Sequence, residues 1–205
     1  EAVFFGSETI EWWRNTGDEF PFKRVTAVRL GCLAAAAVTR VERTLAWVAN
    51  DGTFRLMDGY DGRVISTHAV ERAIEDETDP DNLTATSWAQ DGHTMAALSG
   101  TNFTWVYDLK TGLWHERQSY GSKRWKCSYV CQFDNQTIAG DATSGKLYVM
   151  NRNYTDEAGD PLIADLVSPT IHTFPDRMGI NTLHLRAVMG QGLVPGAAAT
   201  TDPQI

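Results

Sequence analysis

Short apolar runs separated by turn residues dominate the first three quarters of the chain. Runs rich in β-branched or aromatic residues, which are typical of β-strands, occur at residues 3–5, 8–13 and 45–49. Asp-Gly pairs lie nearby, at residues 58–59, 61–62 and 91–92. Because Gly tolerates the positive φ that a tight hairpin turn requires, these pairs predict β-hairpins.

One segment has helical rather than strand periodicity. Ala69, Val70, Ala73 and Ile74 recur at helical spacing and predict a helix over residues 68–77. Thr67 is positioned as its N-cap. The acidic segment 75–82 contains Pro80 and is predicted to form an exposed loop.

A unit of several short strands recurs from residue 88 onward. A hairpin is predicted over 88–98, with further strands at 103–108, 127–133 and 136–140. Asp108 and Asp141 each begin an Asp-x-x-(Thr/Ser)-Gly turn that is followed by an aromatic residue. Such recurrence is typical of a β-propeller, although a β-sandwich also has closely spaced strands. We favour an all-β, propeller-like set of repeated antiparallel sheets with one short helix, and keep the β-sandwich as the alternative.

The last third of the chain is more polar. A loop is predicted at 151–160, followed by strands at 163–167, 171–174 and 183–188. Residues 190–205 are rich in Gly and Ala and predict a flexible or truncated end. The sequence opens within a strand pattern, and we expect both ends to be cut from a longer protein whose propeller-like domain includes residues 1–189.

Composition lowers the expectation of direct nucleic-acid binding. The 205 residues include 26 Asp and Glu but 18 Lys and Arg, giving a formal net charge of −8. Sequence-independent DNA binding needs clustered cations that displace counterions from phosphates. No apolar stretch reaches the roughly 20 residues of a membrane-spanning helix, and no signal peptide is recognisable.

The three cysteines are predicted to be buried free thiols. Cys127 and Cys131 would lie about 13 Å apart along a strand, which is too far for a disulfide. Their spacing with Cys32 matches no metal or redox motif. Free thiols fit a protein that folds in a reducing compartment.

The sequence contains no recognisable catalytic, cofactor or metal motif. The five histidines lack a local metal-ligand spacing, and no serine lies in a nucleophile elbow. His115 beside Glu116 is better interpreted as a strand residue than as an acid–base pair. The acidic cluster at 76–81 departs from the order of an EF-hand and predicts a solvated loop instead of a Ca²⁺ site.

The aromatic content leaves a carbohydrate function open. The chain has seven Trp and six Tyr, which on an exposed face can stack on sugars, and two carboxylates about 5–10 Å apart among them could cleave glycosides. Most of the tryptophans lie within strand patterns, which favours a role in the core. A carbohydrate-binding or glycoside-cleaving propeller remains the alternative function.

Several motifs in order resemble one family. They are Glu11-Trp-Trp-Arg-Asn-Thr-Gly-Asp-Glu-Phe-Pro-Phe22, Gly31-Cys32, Trp47, Gly59-Tyr60, residues 63–71, Gly92-His93-Thr94, Thr104-Trp-Val-Tyr-Asp108, residues 111–117, Gly140-Asp141 and Ser144-Gly-Lys-Leu-Tyr148. This series resembles the packaged-DNA stabilisation proteins, or tail hub and nozzle proteins, of short-tailed bacteriophages. The resemblance extends from about Phe4 to Ile205 without large gaps.

The resemblance implies a structural protein of the virion tail, assembled in the bacterial cytoplasm. It would form a homo-oligomeric, hexameric ring below the portal and adaptor proteins, close the portal vertex and continue the ejection channel. Packaged DNA would pass without specific binding, because an acidic wall repels phosphate. The family has no catalytic residues, cofactor or metal to transfer to this chain.

Exposed polar loops are the expected contacts with neighbouring tail proteins, because loops at a rigid surface commonly bind partners. Two such loops are predicted, at residues 75–82 and 151–160. The candidate interface residues within them are Asp76, Glu77, Asp79, Asp81, Asn153, Asp156 and Glu157.

Overall fold

The computed structural model describes residues 1–151, 153–154, 156–167, 170, 179–182 and 184. The chain divides into two compact units, residues 1–151 and 152–205. In the described part of the second unit, one short hairpin joins β15 (Asp156–Glu157) to β16 (Asp160–Pro161). All other strands of the described residues belong to the first unit.

Four antiparallel sheets follow one another along the described first unit. Sheet 1 contains β1 (Ala2–Phe5), β2 (Ile10–Asn15) and β3 (Phe22–Val28). Sheet 2 contains β4 (Val38–Val41), β5 (Thr44–Val48), β6 (Phe54–Asp58) and β7 (Asp61–Val64). Sheet 3 contains β8 (Thr84–Gln90), β9 (His93–Ser99), β10 (Thr104–Asp108) and β11 (Leu113–Glu116). Sheet 4 contains β12 (Cys127–Phe133), β13 (Gln136–Asp141) and β14 (Leu147–Met150).

The sheets pack face to face in sequence order. One apolar cluster joins Ile10 and Trp12 of sheet 1 to Trp47 of sheet 2. A second lies between sheets 2 and 3, and a third joins Trp88 of sheet 3 to Ala139 of sheet 4. A β-sandwich would bury one face of each of two sheets, whereas sheets 2 and 3 are packed on both faces. The predicted propeller-like fold is therefore confirmed over the alternative.

Strand alternation explains how one sheet serves two clusters. Successive side chains of a strand point to opposite faces. On β5, Ala46 and Val48 belong to the cluster shared with sheet 3, whereas Trp47 lies in the cluster shared with sheet 1. All three are fully buried. A strand that is apolar at every position, as β5 is from Leu45 to Val48, is thus typical of a sheet covered on both sides.

The first strands of sheets 2, 3 and 4 lie side by side. The Ser87 hydroxyl on β8 donates to the Arg40 carbonyl on β4. The Val130 N–H on β12 donates to the Thr86 hydroxyl at 2.9 Å. The same edge of each sheet is therefore turned toward its neighbours, as the inner strands of propeller blades are.

The predicted hairpin across Asp91-Gly92 is confirmed, but the Asp61-Gly62 turn is wrong. Asp91 and Gly92 have φ of 50° and 77°, as a type I′ turn requires. Gly62 instead lies within β7 and pairs with Met57. A Cβ there would approach Leu30 and Trp47 to 2.8 Å. Glycine is thus required at position 62 by the close packing of Trp47. The turn between β6 and β7 is formed by Gly59 and Tyr60.

The predicted helix is confirmed as α1 (His68–Glu75). Val70 and Ile74, one turn apart, are buried against the cluster between sheets 2 and 3. Thr67 has the extended backbone of an N-cap, but its side chain makes no capping hydrogen bond. The adjacent Ser66 hydroxyl instead bonds the Glu71 carboxylate at 2.8 Å.

The predicted strand at 163–167 is wrong. These residues have no regular structure, and Leu166 and Val167 are 99% and 89% exposed. An apolar run forms a strand only where another strand pairs with it, and none does so among the described residues. The strands predicted at 171–174 and 183–188, apart from His184, and the predicted end at 190–205 lie outside the described residues.

Cys131 is exposed, whereas Cys32 and Cys127 are buried, and all three are free thiols. The prediction of three buried thiols is therefore wrong at one position. The pairing of β12 with β13 shifts register between Cys127 and Tyr129. Such a bulge changes the face that later residues occupy. Cys131 consequently does not share the buried face of Cys127, although an even spacing separates them.

Candidate functional site

The acidic loop after α1 contains one anchored carboxylate and three exposed ones. Glu77 accepts hydrogen bonds from the Thr101 backbone N–H at 2.6 Å and the Thr101 hydroxyl at 2.9 Å. Partial burial pushes the pKa of Glu77 upward, but these hydrogen bonds outweigh it and hold the pKa below its ordinary value. Glu77 therefore fixes this loop to the turn between β9 and β10.

The remaining acidic residues of this loop are free to face solvent. Asp76, Asp79 and Asp81 are all exposed. Asp79 caps the 3₁₀ turn Pro80–Asn82 by accepting from the Asp81 N–H at 3.1 Å. The loop thus presents three exposed carboxylates on a backbone that the Glu77 contacts and the Asp79 cap hold in place.

The second predicted loop contains structure of its own. Asp156 and Glu157 form β15 and are half-buried, while Asn153 is exposed. The Asp156 carboxylate accepts from the Gly159 N–H at 2.8 Å, which closes a tight turn. The prediction of a plain loop over 151–160 is therefore wrong for this hairpin. It belongs to the second unit, whereas the first acidic loop belongs to the first unit.

A pocket of about 360 Å³ lies between sheets 2 and 3. Leu56, Tyr107 and Leu109 supply its apolar lining, and Arg63 and Lys110 supply positive charge. Glu42, its only lining carboxylate, accepts from the Thr94 hydroxyl at 2.7 Å. A volume near 300 Å³ suits one small ligand or one inserted side chain. Below, these lining residues are called the inter-sheet pocket.

Sequence reasoning did not find the inter-sheet pocket. Its lining comes from the β4–β5 turn, from strands β6, β7, β9 and β10, and from the turns before β9 and after β10. These segments are far apart in the chain, and none has an unusual composition. Only the packing of two sheets brings them together.

The first recurring Asp turn forms a compact polar network. The carboxylate of Asp108 accepts from the Lys110 N–H and the Thr111 hydroxyl, each at 2.9 Å, and contacts His93 Nδ1 at 2.7 Å. Burial pushes the pKa of Asp108 upward, but the hydrogen bonds from His93, Lys110 and Thr111 outweigh it and lower it to about 2. The network orders the turn between β10 and β11 beside the pocket.

The second recurring Asp turn, at Asp141, has similar hydrogen bonds but lies between different strands of its sheet. The Asp141 carboxylate accepts from the N–H groups of Thr143 and Ser144 at 2.7 and 2.9 Å, and these bonds hold its pKa well below the usual range. Its turn joins the second and third strands of sheet 4, whereas the Asp108 turn joins the third and fourth strands of sheet 3. The repeated motif is therefore a repeated local turn and not the same position in two sheets.

The tryptophans lie in or beside the core and do not form an exposed sugar-binding face. Trp12, Trp47, Trp88 and Trp125 are at most 4% exposed, and no Trp among the described residues reaches the exposed class. The inter-sheet pocket contains one carboxylate, not the converging pair that glycoside cleavage needs. His115 and Glu116 are consecutive on β11, so they point to opposite faces and do not form an acid–base pair.

The part of the chain that the structure describes shows neither a metal cluster nor a membrane-spanning helix. No three His, Cys, Asp or Glu side chains converge there in a way that could hold a metal ion. None of the helices described has the length and apolar character needed to cross a bilayer.

The chain resembles a known protein family. A family model described as "Bacteriophage P22 Gp10, beta-propeller" matches residues 1–155. Among solved structures, the crystal structure of the computationally designed Ika4 protein is similar at 15% identity and a TM-score of 0.40, covering 72% of this chain and 82% of that one. No curated protein matches the chain.

The family match covers all four stacked sheets and agrees with the motifs noted in the sequence. The family is one of structural phage proteins and is not known for enzymes. Because its model spans well over half of the chain, this protein belongs to the family of Bacteriophage P22 Gp10, the packaged-DNA stabilisation proteins, and has a structural role in stabilising DNA within the virion.

Proposed function

We propose that the protein closes the portal vertex of a short phage tail after packaging and forms part of the channel through which DNA is ejected. The family match over residues 1–155 is the observation that carries this proposal. A rigid stack of sheets with a dense aromatic core suits a component that must resist pressure from packaged DNA. Its assembly into a hexameric ring, its position at the tail hub or nozzle, and assembly in the host cytoplasm are parts of the same proposal.

The charge of the chain supports the role of a conduit. With a formal net charge of −8, the protein repels phosphate overall. A channel wall of Asp, Glu and neutral residues would let DNA slide without specific binding. The positive charge of Arg24 is partly offset by Glu11, because the guanidinium of Arg24 lies 3.1 Å from the Glu11 carboxylate.

Two acidic segments are proposed to contact portal, adaptor or other tail proteins. The first presents Asp76, Asp79 and Asp81 with Glu77 as its anchor, and the second contains Asn153, Asp156 and Glu157. Within the first segment, the Asp79 carboxylate is held by the Asp81 N–H, and Glu77 anchors the backbone through the Thr101 N–H. Little conformational entropy is therefore lost when a basic surface binds them.

The decisive experiment is electron microscopy of the full chain mixed with a portal–adaptor assembly. A six-fold ring docked below the adaptor, and retention of DNase-protected DNA in particles that contain the protein, are the expected results. A protein that stays monomeric beside the assembly, or that binds a polysaccharide instead, would refute the proposal. A docked ring whose lumen is lined by Arg14, Lys23, Arg24 and Arg43 would refute the acidic conduit alone.

The loop contacts have a separate test. Changing Asp76, Asp79 and Asp81 together to Asn is expected to weaken docking to the adaptor and to reduce its dependence on salt, because charge pairs at an interface are screened by ions. The matched control changes three exposed carboxylates elsewhere, Glu8, Asp58 and Asp134, to the corresponding amides. Equal losses in both variants would contradict a specific role for this loop.

A further inference from the structure

The loop between β2 and β3 carries an exposed aromatic side chain beside two carboxylates. Phe20 is 77% exposed and follows Asp18 and Glu19 directly. Aromatic side chains, Phe among them, are enriched at the centres of protein–protein interfaces. Residues 18–20 are called the acidic-aromatic tip below.

The acidic-aromatic tip is held in one conformation by its own base. The Thr16 N–H donates to the Pro21 carbonyl at 2.8 Å and closes the loop. The Asn15 side chain accepts from the Gly17 N–H at 2.9 Å, and Gly17 has a φ of 77°, which favours glycine. A preformed loop loses little entropy when it inserts into a partner.

The inter-sheet pocket has the complementary chemistry. Leu56, Tyr107 and Leu109 offer apolar surface to an aromatic ring. Arg63 and Lys110 stand at the same pocket, and among the described residues neither forms a salt bridge. Glu42 also lines the pocket, so its lining combines two cationic side chains with one carboxylate and is positive on balance. The pocket therefore combines apolar surface with an excess of positive charge, and the acidic-aromatic tip combines an aromatic ring with two carboxylates.

We propose that the acidic-aromatic tip of one copy inserts into the inter-sheet pocket of a second copy, with Phe20 against Leu56 and Leu109 and with Asp18 and Glu19 facing Arg63 and Lys110. The exposure of Phe20 shows that the tip does not fill the pocket of its own chain. Each copy has one tip and one pocket, so the contact runs head to tail, and head-to-tail contacts close into rings when the rotation allows. The inference deepens the proposed function, on which it rests, by naming the contact between neighbouring subunits of the ring.

The first test measures self-association of the full chain by sedimentation, alone and on a portal–adaptor assembly. Phe20→Ser is expected to raise the dissociation constant at least about tenfold, as loss of a central aromatic anchor does. Phe133→Ser is the matched control, because Phe133 is 69% exposed at another hairpin. Loss of association in the control and not in Phe20→Ser would overturn the proposal.

Charge reversal tests the pairing itself. Asp18→Lys with Glu19→Lys, and Arg63→Glu with Lys110→Glu, are each expected to weaken association at least about tenfold, because like charges then face each other. The variant with all four changes restores opposite charges and is expected to recover most of the affinity. If the quadruple variant associates no more tightly than the weaker of the two double variants, these groups do not pair.

Photo-crosslinking locates the contact without any destabilising substitution. Benzoylphenylalanine in place of Phe20 is expected to link two chains, with the bond mapped to Leu56, Leu109 or their neighbours in the pocket. Links confined to other surfaces would overturn the proposal. If wild-type protein assembles and docks while the Phe20 variants behave normally, this inference fails and the proposed function stands; if wild-type protein never assembles or docks, both fail.

Discussion

His93 and Asp108 lie 2.7 Å apart, with His93 Nδ1 against one carboxylate oxygen at the point where β9 begins and β10 ends. The same carboxylate orders the following turn through Lys110 and Thr111. One buried acidic residue therefore couples two strands and a turn beside the inter-sheet pocket. This arrangement makes part of the stability of the sheet depend on pH.

Asp108→Asn is expected to flatten the loss of stability in acid. The folded carboxyl has a pKa of about 2 against an ordinary value of 3.8, so unfolding takes up a proton between these pH values. The stability contributed by Asp108 is thus present above about pH 4 and is lost as the pH falls toward 2. Melting temperatures of wild type and variant between pH 5 and 2 measure this difference. Asp58→Asn, at the exposed end of the third strand of sheet 2, is the control, and parallel curves for wild type and Asp108→Asn would contradict the prediction.

Gly62→Ala is expected to lower the free energy of unfolding by about 1–3 kcal/mol, which is the usual cost of overpacking. The added Cβ would lie 2.8 Å from both Leu30 and the Trp47 ring, and Trp47 is fully buried. Gly140→Ala is the matched strand control, since its Cβ would lie 3.8 Å from its nearest neighbours. Urea unfolding of both variants checks the difference, and equal midpoints would show that Trp47 can move aside.

Leu98→Ala is expected to cost about 2–5 kcal/mol, because Leu98 is fully buried between sheets 2 and 3 and its loss leaves a cavity. Leu166→Ala is expected to change stability by less than about 0.5 kcal/mol, because Leu166 is 99% exposed. Denaturant unfolding compares the same substitution in the two environments. A large effect at Leu166 would mean that a surface in solution covers it.

Thiol labelling distinguishes the three cysteines. Cys131 is exposed and is expected to react rapidly with an aromatic disulfide reagent in the native protein. Cys32 and Cys127 are buried, and burial raises the pKa of the Cys32 thiol, so both should react only on unfolding. The count is expected to be one thiol per native chain and three in denaturant. Cys131→Ser should abolish the native reaction, and persistent labelling in that variant would contradict the assigned burial.

Local chemistry made several elements predictable. The turn at Asp91-Gly92 depends on φ preferences of the two residues themselves, and α1 depends on a period of apolar positions within one segment. The propeller-like class followed from the recurrence of short strands and tight turns. The family followed from ordered motifs that are themselves short and local.

Packing between distant segments determined the features that local sequence patterns did not predict. The bulge near Cys127 reverses the face that Cys131 occupies, and the place of Gly62 is set by the Trp47 ring, which belongs to another strand. The similar turns of Asp108 and Asp141 fall between different strands of their sheets, because a turn motif specifies its own hydrogen bonds and not its position in a blade. Interactions between near neighbours in the chain were therefore enough to predict most of the strands of the first unit, the Asp91-Gly92 turn and α1. Only the stacking of the sheets determined which side chains are buried, and it alone formed the inter-sheet pocket, because these depend on contacts between residues far apart in sequence.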